Sequence, residues 1–65
     1  MRIVINGEPA ELPDGSTAAD AVTQAGVGAG VAVAVNDDVI SRSSWAVTTL
    51  APGDRVEILT AVQGG

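Results

Sequence analysis

The apolar side chains of this sequence are almost all aliphatic: Ala, Val, Ile and Leu supply them, Trp45 is the only aromatic residue, and cysteine and histidine are absent. A core built from such side chains is thin. A chain of 65 residues buries only about 60% of the surface its unfolded form exposes, and here it must do so without a disulfide. One sheet covered by one helix suits these limits, as a single domain over residues 1–65. Without cysteine or histidine there is no thiolate metal site, no imidazole ligand and no imidazole acid or base, so no metal site is expected.

Charge narrows the partners. Eight carboxylates stand against Arg2, Arg42 and Arg55, for a formal net charge of -5. A field of that sign repels phosphate backbones and anionic lipid, so nucleic acid and membrane are not expected partners. No run approaches the ~20 apolar residues of a membrane span. The opening segment breaks at Asn6-Gly7 before a signal-peptide core could form, and a cytoplasmic location is the expectation.

Arg2 to Ile5 is a short β-rich run, and Asn6-Gly7 is the dipeptide that best tolerates the two positive φ angles of a tight hairpin. A returning strand from Glu8 to Leu12 contains Pro9, which lacks a ladder donor and so places that strand at a sheet edge or makes its pairing short. Pro13-Asp14-Gly15 ends it. Ser16 and Thr17 are both good N-caps, and Thr17 to Asp20 fits a capping box. A helix of about ten residues is predicted to follow, with an apolar stripe of Ala18, Ala21, Val22 and Ala25 and a stop at Gly26. After a flexible Gly28-Ala29-Gly30 stretch, Val31 to Val35 reads as a buried strand.

Asn36-Asp37-Asp38 turns the chain, and Val39-Ile40 resume it. Ser41 to Ser44 lead to Trp45, which is expected to pack on the core or its rim, and a second extended piece is predicted from Val47 to Leu50. Pro52-Gly53-Asp54 is a further turn. The last strand is predicted from Arg55 to Val62, with Val56 and Ile58 inward and Leu59 outward. The order of hairpin, helix, strand, short strand and strand points to an α+β fold. Its sheet is mixed, with about five strands packed on one helix and the first and last strands side by side.

Gly64-Gly65 is the sharpest functional feature. Two residues without Cβ can lie extended in a channel too narrow for side chains, and let another enzyme's groups approach the terminal carboxylate. A carboxylate becomes an acyl donor once ATP converts it to an acyl-adenylate, from which a sulfur or amine nucleophile displaces AMP. Leu59, Ala61 and Val62, just before the tail, and Arg42 are candidates for a partner surface. Gly26 to Val31 superficially matches a phosphate loop, yet it lies after a helix and before a strand, the reverse of the dinucleotide arrangement. Asp37 with Asp38, and Asp14 with Asp20, lack calcium-loop spacing and read as turn and cap residues.

Val33 to Asn36, Arg42 to Trp45 and the whole of Pro52 to Gly65 resemble the thiamine-biosynthesis sulfur carriers, the ThiS branch of the ThiS/MoaD ubiquitin-like β-grasp family. The likeness spans nearly the whole chain. It departs at Asp37-Asp38, where a glycine-containing turn is common, and at Ser41, where a proline often precedes the arginine. The resemblance implies a carrier and not an enzyme, in which Gly65 is adenylated and converted to a thiocarboxylate. It implies tail recognition through Gln63 and Gly64 on a flexible segment over residues 63–65. The implied partners are a ubiquitin-activating-type adenylyltransferase (ThiF-like), which uses ATP and Mg, a thiazole synthase (ThiG-like), and a sulfur donor such as a cysteine desulfurase. No cofactor would be bound, and the free protein would be a monomer. The small subunit of molybdopterin synthase, or a protein modifier, shares the fold and the diglycine and stays open as an alternative. All three basic residues are arginines, so a modifier of this sequence could not build chains through its own lysines.

Overall fold

In the computed structural model, residues 1–26 and 31–60 are described. Strand β1 (Arg2–Ile5) and strand β2 (Glu8–Glu11) form the predicted hairpin. Helix α1 spans Ala18–Ala25, and β3 (Val31–Val35), β4 (Asp38–Ile40) and β5 (Arg55–Thr60) complete the sheet. The strand order is β2-β1-β5-β3-β4. β1 and β5 are parallel neighbours at its centre, and the other pairings are antiparallel. Pro9 lies on the edge strand β2, opposite Val4, as its missing donor requires.

Each reversal uses the residue its geometry demands. Asn6 and Gly7 adopt φ of 51° and 82°, and Asn36 and Asp37 adopt 49° and 73°. Both pairs suit the right-handed twist of a tight hairpin. Asp37 therefore occupies the left-handed position that glycine fills more easily, and its carboxylate takes a 3.0 Å contact from Arg55. Between Ala51 and Asp54, Gly53 has φ 86°, and the Asp54 N–H donates to the Ala51 carbonyl.

Thr17 is the N-cap. Its hydroxyl accepts from the Asp20 N–H at 3.4 Å, and the Asp20 carboxylate accepts from the Thr17 N–H at 2.8 Å, so the capping box is complete. Ser16 is buried, and its hydroxyl donates to the Pro13 carbonyl. Substituting Thr17→Ala should lower unfolding free energy by about 1 kcal/mol, the usual cost of losing a cap. A urea titration followed by circular dichroism would measure it, and an unchanged midpoint would mean that packing alone holds this helix.

One apolar face of the sheet meets the helix. Ile3, Val33 and Val56 are its most buried large side chains, joined by Ile58, Ala18, Ala21 and Val22. Three expectations are corrected here. The helix has eight residues, and Ala25 in its last turn is exposed, so the buried stripe ends at Val22. β3 is buried on one face only: Val33 and Val35 point into the core, whereas Ala32 is exposed and Ala34 half-buried. A run of apolar residues there reflects small side chains on an uncovered face.

The third correction concerns the segment predicted to be extended from Val47. Residues Arg42–Val47 form a 3-10 helix, η1, because Trp45 must turn inward to reach the core. Its indole is 8% exposed, and Nε1 donates to the Ile40 carbonyl at 3.2 Å. Only after η1 does the chain extend, with Thr49 bridging Thr17 beside the helix start. The Ala18 N–H donates to Thr48 and the Leu50 N–H to Ser16. The flexible stretch at residues 28–30, the rejected phosphate loop beyond Gly26, and the end of the last strand at Ala61 and Val62 lie outside the described residues.

Candidate functional site: the last strand and the open sheet face

β5 is the strand that leads to the diglycine, and it runs through the middle of the sheet. β3 pairs with it along its full length, from Val35 opposite Val56 to Val31 opposite Thr60. β1 pairs with it only at its start, Val4 opposite Arg55 and Ile5 opposite Val56. Two asparagine side chains add contacts, Asn36 where β5 begins and Asn6 beyond the last β1 pair. Asn36 accepts from the Arg55 N–H through Oδ1 at 2.9 Å and donates to Asp54 through Nδ2 at 3.0 Å. Asn6 accepts from the Ile58 N–H at 2.7 Å and donates to the Ile58 carbonyl at 3.1 Å.

Alternation along β5 sends Val56 and Ile58 into the core and leaves Leu59 68% exposed, as the sequence pattern predicts. Leu59 lies opposite Ala32, and Ala34 lies between Glu57 and Val39, which is 80% exposed. These four apolar residues share the face of the sheet that the helix does not cover. Val39 escaped the sequence reading, although the alternation of β4 against β3 was the signal that could have found it.

Arg42 is not part of that face by pairing. It opens η1, and its guanidinium sits 5.4 Å from the centroid of the Trp45 ring. Arg55 pairs with Asp37, and Arg2 with Glu11, all of them exposed groups; such pairs add little stability. Of the remaining predicted site residues, Ala61, Val62, Gln63, Gly64 and Gly65 lie outside the described residues. Among the described residues, no group of three or more His, Cys, Asp or Glu could hold a metal, and no helix is long and apolar enough to cross a membrane. A depression lined by Pro13, Asp14, Ser16 and Asp20 contains none of the predicted site residues.

A five-stranded mixed sheet over one helix, with parallel first and last strands at its centre and an apolar open face beside the last strand, is a ubiquitin-like β-grasp domain. The ThiS family model matches residues 3–65, and the chain belongs to that family. The crystal structure of thiamine biosynthesis protein ThiS from Geobacter metallireducens is similar to it, with 28% identity and a TM-score of 0.82 over 100% of both chains. The solution structure of a thiamine biosynthesis protein from the same organism gives the same identity and TM-score over 100% of this chain and 88% of that one. No curated protein matches.

Proposed function

We propose that this chain is a sulfur carrier of thiamine biosynthesis, acting in the cytoplasm, and that the Gly65 carboxylate is the group that carries the sulfur. The observation that carries this reading is the family match, which extends from the first strand through residue 65 and so includes the diglycine that follows β5. A Gly65 carboxylate oxygen attacks the α-phosphorus of ATP, pyrophosphate leaves, and an acyl-adenylate forms. The terminal sulfur of a persulfide on the sulfur donor then attacks the acyl carbon, AMP leaves with the oxygen that joined carbon to phosphorus, and a thiol reductant cleaves the acyl disulfide by taking the donor's own sulfur into a new disulfide. A thiocarboxylate remains, which supplies its sulfur to a thiazole synthase.

In this scheme the carrier lowers no barrier. The adenylyltransferase contributes the ATP and Mg chemistry, while the carrier contributes a recognisable fold and a reachable end. Gln63 and Gly64 occupy the enzyme's channel, where side-chain-free backbone permits close approach. The open face is the docking surface, with Leu59 as its anchor, and Ala61, Val62 and Arg42 are further residues that contact the partner. The free protein is a monomer.

Incubation with the activating enzyme, ATP, Mg, a thiol reductant and a cysteine desulfurase with cysteine should raise the intact mass by one sulfur-for-oxygen replacement, located at Gly65 by fragmentation. A chain lacking Gly65 should keep its mass and fail to restore thiamine-independent growth to a carrier-deficient strain. An unchanged mass for the full chain, under conditions that convert another ThiS protein, would sink the proposal.

A further inference from the structure

We infer that the Asn6 carboxamide is a positioning residue: it acts as one substitute rung of the β1/β5 ladder and fixes the direction in which β5 delivers the chain to the activating enzyme. The functional half of this inference rests on the sulfur-carrier reading.

In a parallel pair each residue of one strand bonds two residues of its neighbour through evenly spaced, slanted bonds. Here the Val4 N–H donates to Asp54 and the Asn6 N–H to Val56, both at 2.9 Å. The next rung would need the backbone beyond Asn6 to continue alongside Ile58. It cannot, because the positive φ angles of Asn6 and Gly7 turn the chain back into β2. Ile58 would be left with an N–H and a carbonyl aimed at a departed strand, directly above its own buried side chain. The Asn6 amide supplies both missing partners, an acceptor at 2.7 Å and a donor at 3.1 Å.

A carboxamide presents a C=O and an N–H side by side, the same pair that a peptide group presents. Aspartate could supply only the acceptor, and glycine neither. The turn alone does not require the amide, since glycine adopts φ near 51° without strain. After Ile58, Thr60 is the last described residue of β5, and it is paired on the β3 side through Val31. Among the described residues, Ile58 is therefore the last point at which the strand is gripped from both sides. Less freedom there means less ordering when the tail enters an enzyme channel.

Asn6→Gly separates turn from rung, because it keeps the left-handed turn and removes the amide. By alternation the Ile58 N–H points to β1 and the Leu59 N–H to β3, so exchange at the two amides reports on the two sides of one strand. In Asn6→Gly, Ile58 exchange should accelerate about tenfold relative to Leu59, the ratio expected for one lost hydrogen bond. The activating enzyme's KM for the carrier should rise several-fold with kcat unchanged, the signature of lost uniform binding. Asn6→Asp, which keeps the acceptor and loses the donor, should raise KM as well and serves if the glycine variant is poorly folded. Ile58 and Leu59 exchanging in step would overturn the rung. A selective change at Ile58 with KM unmoved would overturn the positioning role. Failure of the enzyme to activate the unmodified chain would instead sink the sulfur-carrier reading, with the exchange result still deciding the rung.

Discussion

Replacing Trp45 with alanine should bring the domain close to unfolding at room temperature, with a loss of about 3–5 kcal/mol. A chain of this size commands only about 3–10 kcal/mol in total. The indole is the one aromatic side chain in an otherwise aliphatic core, and it lies where η1 meets α1. Its removal opens a cavity in a core whose other members are all smaller aliphatic side chains. It also leaves the Ile40 carbonyl without the 3.2 Å bond from Nε1. Circular dichroism in urea should show a much lower midpoint. Trp45→Phe, which keeps most of the volume and forfeits that bond, should cost far less. A loss below about 1 kcal/mol for the alanine variant would contradict a core role for this residue.

Leu59→Arg should have the opposite profile, with little change in stability and a large loss of activation. The side chain is 68% exposed on the face that no helix covers, so its replacement disturbs no core contact and should shift unfolding free energy by less than about 1 kcal/mol. A bulky cation on the face proposed to dock the activating enzyme, however, should reduce kcat/KM for adenylation about 30-fold or more, as expected for an interface anchor. Val47→Arg is the informative comparison. Val47 is 78% exposed but sits on η1, away from the Leu59, Val39, Ala32 and Ala34 register, and its variant should be activated normally. Equal losses for the two variants would show that added positive charge, and not the position, is responsible.

These two residues also mark how far the sequence could be read. The inward Val56 and Ile58 and the outward Leu59 follow from a period of two, which any strand obeys regardless of its neighbours. The Asn6-Gly7 turn, the Thr17 capping box and the left-handed Gly26 stop are likewise local, since each is satisfied within a few residues of its own chain. The family resemblance to the ThiS proteins was legible at Val33 to Asn36, Arg42 to Trp45 and Pro52 to Gly65, all of them inside the stretch that the family match covers. Trp45 was readable as a core residue because a lone indole in an aliphatic chain has few other places to go.

The 3-10 helix that carries Trp45 was not readable in that way. Ser41 to Val47 has no strong apolar period, and its conformation is set by where the indole must arrive, between β4 and the helix. The same holds for the open face, since Ala32, Ala34, Val39 and Leu59 belong to three strands and become one surface only through the pairings β3/β4 and β3/β5. Asn6 shows the difference most clearly. By itself the sequence determined its turn, because positive φ is a property of the residue and its neighbour. Only the tertiary structure decided that its amide would complete the ladder at Ile58, a partner 52 residues away, because a hydrogen bond across that separation exists only after the first and last strands have met.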